Sequence, residues 1–258
     1  MPVKSFAISD VGLRRSHNED SYIANDELRT YLVADGMGGH AAGEVASQTA
    51  ARTIEDFVRR AEQDRDMTWP YGADGSLSEM ENTLLSAIKI ANQMICRMAG
   101  EKPEMTGMGT TIAGVKIHNG EASVFNVGDS RVYRVRKDAI VQLTTDHSWV
   151  NEQLQRRMIT EEEARTHRWK NVITRALGNK STVDVDLTAT EMETGDILVI
   201  CTDGLSGLVS DQVILETIRM QGDNLEEVAT ELVAQAKAAG GHDNITIVLV
   251  QYFGDKDS

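Results

Sequence analysis

Two Asp-Gly pairs, Asp35-Gly36 and Asp203-Gly204, each close a strongly apolar run, YLVADGMGGH over 31–40 and DILVICTDGLSG over 196–207. A carboxylate at the mouth of a buried strand is rigid and poorly solvated, costly alone and favourable beside a cation. Further acids stand in comparable places: Asn18-Glu19-Asp20, Asp129 after FNVG, and Asp243-Asn244 entering the last apolar run. Carboxylates without nearby Cys, and without HxxxH or HExxH spacing, suit a hard ion such as Mg2+ or Mn2+. Several together fit a two-metal hydrolytic site.

Two other readings of Asp35-Gly36 compete. A hairpin tip needs a second strand at once, whereas MGGHAAGEVASQTAARTIEDF is glycine-rich and then helical. A dinucleotide loop is matched by Gly36-x-Gly38-x-x-Ala41 between a strand and a helix. It also wants an acid ending a second strand about twenty positions on, and Glu55 and Asp56 fall inside the helical pattern instead. Neither Cys96 nor Cys201 starts a C-x5-R loop, since positions 102 and 207 are Lys and Gly. No GKS or GKT marks a Walker A loop.

The elements that must carry these acids are legible. Strand-like runs occupy 3–9, 30–35, 111–117, 122–127, 131–136, 140–143, 196–202 and 245–252. The segment 118–135 reads as two strands joined by a short Gly-Asp turn, hence as an antiparallel pair. Helical periodicity covers 43–60, 78–98 behind a Ser78-x-x-Glu81 capping box, a stretch after Ser210, and 225–238 after Asn224-x-x-Glu227. Such an order is not βαβ alternation, so an α+β fold with antiparallel sheets is expected. One domain over 1–258 is expected, with excursions at 62–77 and 147–170.

Bulk properties narrow the partners. Hydrophobic content of 41% and charged content of 26% describe an ordinary globular chain. A net charge of −14 disfavours nucleic acid and anionic membrane, which need basic surfaces. MPVKSFAISD has no apolar core of a signal peptide, and the apolar stretches at 197–201 and 245–250 are far short of a membrane span. Cys96 and Cys201 read as buried, reduced thiols of a cytoplasmic protein.

Eight segments carry a resemblance: SDVGLRRSHNEDSY (9–22), VADGMGGHAAGEVAS (33–47), MGTTIAG (108–114), NVGDSRVYR (126–134), LTTDHS (143–148), VITRALG (172–178), LVICTDGLSGLVSD (198–211) and GGHDNITIVLV (240–250). In that order the chain resembles the compact bacterial form of the PPM (PP2C) metal-dependent serine/threonine protein phosphatases. The resemblance implies a four-layer α-β-β-α sandwich of two antiparallel sheets flanked by helices. It implies two Mn2+ or Mg2+ ions and a weaker third. By matching position, Asp35 bridges the pair with the Gly36 carbonyl beside it, and Asp203 and Asp243 hold the first ion. Glu19 and Asp20 bind or orient metal waters, Asp129 serves the third ion, Asn244 orients a ligand or water, and Arg15 contacts the substrate phosphate. The implied reaction is in-line attack by a hydroxide shared between the ions, with no phosphoenzyme. Implied partners are phosphorylated proteins, a bacterial serine/threonine kinase among them, and the chain is expected to act as a monomer.

Some relatives place a histidine directly after the bridging Asp-Gly; here that residue is Met37, and His40 follows three positions later. His40 is therefore a candidate general acid, in competition with a metal-bound water. His242 is a site neighbour without a role; His17, His118 and His167 are expected in solvent, and His147 either at a turn or bordering the cleft. Segment 147–170 corresponds to the family's variable flap, with Arg156, Arg157, Arg165, Arg168, Lys170, Trp149 and Trp169. It reads either as a solvated helix face or as an edge that recruits acidic phosphopeptide flanks. Rival functions are a phosphatase for a small phosphorylated molecule, a dedicated anti-sigma-factor antagonist, and a non-catalytic binding module.

Overall fold

Strands buried on both faces read as continuous apolar runs rather than alternating ones, and the computed structural model explains the two runs that open the sequence in this way. It describes residues 2–38, 42–64 and 66–254, without the side chain of Arg165. One antiparallel sheet runs β1 (Val3–Asp10), β11 (Ile245–Tyr252), β10 (Ile197–Cys201), β7 (Arg131–Arg136), β8 (Ala139–Gln142). The other runs β2 (Asp20–Asn25), β3 (Thr30–Met37), β5 (Ile112–His118), β6 (Glu121–Val127), β9 (Asp186–Glu191), with β4 (Gly109–Thr110) paired to the end of β3.

Tyr31 and Val33 of β3 meet Leu198, Ile200, Val248 and Val250 of the first sheet between the layers. Leu32 and Ala34 point the other way, onto α1 (Ala42–Gln63) and α2 (Glu79–Glu101), where Ala46, Ile54, Phe57, Leu84, Ile88 and Ile95 bury them. Beneath the first sheet lie α5 (Asp203–Ser206), α6 (Asp211–Gln221) and α7 (Leu225–Ala238), packed through Leu205, Ile214, Leu232 and Val233 onto Val199, Cys201 and Leu249. The result is the expected four-layer α-β-β-α sandwich. Two short helices, α3 (Trp149–Gln155) and α4 (Glu161–Thr166), build the flap. Among the described residues no helix is long and apolar enough to cross a membrane.

The expected capping box forms, with the Ser78 hydroxyl accepting from Glu81 N–H and the Glu81 carboxylate accepting from Ser78 N–H. Three expectations are corrected. Segments 122–127 and 131–136 do not pair: β6 joins β5 and β9, β7 joins β10 and β8, and Gly128-Asp129-Ser130 crosses from one sheet to the other. Strands β2 and β9 lack an apolar run and were not legible; β9 is an edge strand whose residues are mostly exposed. Cys201 is buried as expected, but Cys96 is only half-buried on α2, and its thiol donates to the Lys180 carbonyl.

Candidate active site

Strand register gathers the acids at one end of the sandwich. Asp35 lies near the end of β3, Asp20 at the start of β2 directly across from it, and Asp203 begins α5 as β10 ends. Asp243 precedes β11, whose first residues pair with the last of β1 and β10, and Asp129 sits in the crossing from β6 to β7. Both Asp-Gly glycines are required by close backbone approach. A Cβ on Gly36 would stand 2.2 Å from the Gly43 carbonyl oxygen in the first turn of α1 and 2.5 Å from that of Glu19. A Cβ on Gly204 would stand 1.9 Å from the Asn244 carbonyl oxygen.

The Asp35 backbone is held from both sides. Its carbonyl accepts from Thr111 N–H and the Thr110 hydroxyl, each at 2.9 Å, and its N–H donates to Thr111 Oγ1 at 3.2 Å. Thr111 Oγ1 in turn shares a 2.7 Å hydrogen bond with Ser130 Oγ, beside Asp129. Asp20 reaches across the inter-sheet space: its Oδ2 accepts from Thr202 Oγ1 at 3.0 Å and Thr246 Oγ1 at 2.6 Å. These threonines and Ser130 were missed as site residues. Thr110 and Thr111 stand inside the MGTTIAG segment and Thr202 directly before Asp203, which is the signal that was available.

Crowding makes the cluster electrostatically unfavourable without a cation. Burial, opposed in part by its two threonine hydrogen bonds, pushes Asp20 up to about 7; burial and then the Asp203 charge push Asp129 up to about 7. Asp35 is raised well above the usual carboxylate range by burial and then by Asp20 and Asp203. Asp203 is raised by burial and then by Asp243, and Glu19 by burial. Asp35 and Asp203 are each half-buried.

Among the described residues, four buried carboxylate oxygens, Glu19 Oε1, Asp20 Oδ1, Asp129 Oδ1 and Asp203 Oδ1, have no hydrogen-bond donor. Among the described residues no three His, Cys, Asp or Glu side chains are drawn into one coordination shell. Arg15 holds Asp243 through a 2.6 Å bond from its half-exposed guanidinium to Oδ2. Oxygen-only donors and donorless buried carboxylate atoms are the chemistry a hard divalent ion satisfies, so the residues present fit such an ion.

Asn244 is a brace for a neighbouring loop. Its Nδ2 donates to the Val11 and His17 carbonyls, both at 3.0 Å, and its Oδ1 accepts from Glu19 N–H at 2.8 Å. The loop carrying Arg15 is thereby closed at both ends. Asp129 is flanked by a similar frame, in which Arg131 forks onto Asp146 at 2.6–3.1 Å. His147 is buried, and its Nδ1 accepts from Gly128 N–H at 3.0 Å. His167 is not solvent-facing as expected: it stacks on Trp149 at 4.6 Å, with Trp169 edge-on to Trp149 at 4.7 Å. His17, His118 and His242 are exposed. His40 lies outside the described residues. A cavity of about 680 Å³ at the opposite end, lined by Phe57, Met67, Trp69 and Met80, contains none of the clustered acids.

A family profile described as protein phosphatase 2C matches residues 14–239. The chain belongs to the protein phosphatase 2C family. It is 36% identical over 246 residues to the serine/threonine phosphatase stp of Listeria innocua, covering 94% of this chain and 93% of that protein. It is 35% identical over 246 residues to the protein phosphatase PhpP of Streptococcus pneumoniae, covering 94% and 95%. The crystal structure of the Mycobacterium tuberculosis serine/threonine phosphatase PstP matches the fold with a TM-score of 0.85 at 34% identity, covering 97% of this chain and 99% of that one. A structure of the PstP catalytic domain in complex with two manganese ions matches at 0.82 and 35% identity, covering 97% and 98%. These protein phosphatase 2C relatives carry the enzyme class that the carboxylate pattern suggested.

Proposed function

We propose that this protein phosphatase 2C member hydrolyses phosphoserine and phosphothreonine monoesters of proteins at the strand-end carboxylate cluster, using two Mn2+ or Mg2+ ions and a weaker third. The observation that carries the reading is the set of buried oxygens on Glu19, Asp20, Asp129 and Asp203 that find no donor among the described residues. Asp35, Asp203, Asp243 and the Gly36 carbonyl would hold the ion pair, Glu19 and Asp20 would bind or orient its waters, and Asp129 would serve the third ion. Ions bound there offset the charge of a phosphate dianion and bring the pKa of a bound water towards neutrality.

The remaining work falls to the chain. Arg15 offers a planar fork for two phosphate oxygens, and Asn244 holds its loop. Thr110 and Thr111 keep Asp35 from shifting as charge moves through the site. Direct attack by water on phosphorus leaves a serine or threonine alkoxide that needs a proton, and His40 is the side-chain candidate to return it. Residues 1–258 would act as one phosphatase domain with the flap at 147–170, a monomer in the cytoplasm, on proteins phosphorylated by a serine/threonine kinase and on that kinase.

The test is hydrolysis of a phosphothreonine peptide by the whole chain in Mn2+ and in EDTA, beside Asp203→Asn. Activity in Mn2+ alone, lost in the variant, is expected. Full activity in EDTA or in Asp203→Asn would falsify the metal mechanism.

A further inference from the structure

Asp20 is caught in a ring of hydrogen bonds that begins at its own N–H and ends on its own carboxylate. Its N–H donates to Asn18 Oδ1 at 3.1 Å, and Asn18 Nδ2 donates to Ser9 Oγ at 2.8 Å. Ser9 of β1 is the register partner of Thr246 in β11, and their hydroxyl oxygens lie 2.7 Å apart. Thr246 Oγ1 closes the ring, 2.6 Å from Asp20 Oδ2 across the inter-sheet space.

The protons of this ring run one way. An ionised carboxylate only accepts, so Thr246 gives its single hydroxyl proton to Asp20. The proton between Ser9 and Thr246 then comes from Ser9, whose own oxygen accepts from the Asn18 amide. Thr202 reaches the same carboxylate oxygen by a second route with the same direction. Its Oγ1 accepts from Thr246 N–H at 3.0 Å and donates to Asp20 Oδ2 at 3.0 Å. The Thr202 N–H donates in turn to the Thr246 carbonyl at 3.1 Å, which fixes the two threonines to each other. Two fully buried hydroxyls, each with its acceptor side already filled, therefore converge on Oδ2.

The other oxygen, Oδ1, is buried too, and nothing among the described residues donates to it. The ring thus makes the two ends of one carboxylate unequal. Without it, the terminal torsion of an aspartate is soft, and Asp35, directly across the ladder, repels the group.

We infer that Ser9, Thr202 and Thr246 are positioning residues: they fasten Oδ2 of Asp20 to the protein and leave Oδ1 as the oxygen offered to a divalent cation or to its water. The inference rests on the reading of Asp20 proposed above. Ser9 acts at one remove, by turning the Thr246 hydroxyl towards Asp20. Removing a group that orients a metal ligand from behind typically weakens metal binding by about 10- to 100-fold.

The experiment titrates Mn2+ into the whole chain, reads free Mn2+ by electron paramagnetic resonance, and follows thermal unfolding of each variant in EDTA. Asp20→Asn is expected to weaken Mn2+ binding about tenfold or more. Thr246→Val keeps the shape, loses the hydroxyl and is expected to weaken it about tenfold, whereas Thr246→Ser stays close to wild type. Ser9→Ala empties the acceptor side of Thr246 and is expected to weaken binding about threefold, the size of one neutral hydrogen bond. A purely structural role would lower the melting midpoint in EDTA and leave Mn2+ affinity alone. Wild-type affinity in Thr246→Val or in Ser9→Ala, with Asp20→Asn weakened, overturns the inference and leaves the reading of Asp20 standing. Equal losses in Thr246→Ser and Thr246→Val also overturn it, because the hydroxyl is then not the operative group. Where Thr246→Val melts below the assay temperature, Ser9→Ala against wild type decides. Wild-type affinity in Asp20→Asn removes the reading, and the inference with it.

Discussion

Asp20 and Asp35 are direct partners across the β2–β3 ladder, two carboxylates facing each other at the mouth of the inter-sheet space. Like charges directly opposite destabilise a strand pair by up to about 1 kcal/mol, and both groups are pushed up towards the neutral form. Asp35→Asn is therefore expected to raise the melting temperature of the metal-free chain by about 2–4 °C, and to abolish phosphopeptide hydrolysis in Mn2+. Thermal unfolding in EDTA checks the first part. An unchanged or lower midpoint would show that the pair carries no strain.

Thr111 joins Asp35 to Ser130 through one hydroxyl. Thr111→Val keeps the shape and leaves Asp35 N–H and Ser130 Oγ each short of a partner, at a cost of about 1–3 kcal/mol. Urea unfolding is expected to show that loss, and kcat should fall more than KM changes because the damage is to the position of Asp35. A full loss of stability with normal kcat would make Thr111 a packing residue only.

Asn244 closes the loop that carries Arg15. Its truncation in Asn244→Ala frees both loop ends and the Glu19 backbone. KM for a phosphothreonine peptide is expected to rise at least tenfold, the effect of about 1.4 kcal/mol lost from substrate binding. Steady-state kinetics decide it; a kcat defect with KM unmoved would place the role of Asn244 away from the Arg15 loop.

On the flap, Arg168 and Lys170 are exposed in an otherwise acidic chain. Reversing both to Glu is expected to raise KM for acidic phosphoproteins and to spare a small aryl phosphate, with the effect shrinking in high salt. Equal effects on both substrates would leave the basic edge as an ordinary solvated surface.

Burial lowers the pKa of His147 below its usual value, with the Arg175 charge adding and Asp186 opposing. The folded chain then binds fewer protons than the unfolded one around pH 6.5, so stability rises with pH there. The contribution is present above about pH 6.5 and is lost as pH falls towards the lower folded value. Urea unfolding of wild type and His147→Asn between pH 7.5 and 5.5 isolates it, because other groups titrate alike in both. Parallel pH profiles would contradict the assignment.

Features set by near neighbours were legible in the chain itself. The Ser78–Glu81 box, the helices after Ser210 and Asn224, and the apolar runs that deliver Asp35 and Asp203 depend on residues a few positions apart. Oxygen-only donors at strand ends likewise point to a hard cation from residue type and position alone. Tertiary structure decided the rest, because register and layer stacking join groups far apart in sequence. Asp20 meets Thr246 across 226 positions, and Gly128 meets His147 only because the chain changes sheets between β6 and β7. The same local pattern could have made a hairpin of 118–135. What the structure shows is different burial: Phe125 and Val127 pack under α1 and α2, while Tyr133 and Val135 of the other sheet pack over α6 and α7. Even the second letter of each Asp-Gly pair follows from tertiary contact, since what approaches Gly36 is the start of α1 and what approaches Gly204 is the backbone of Asn244.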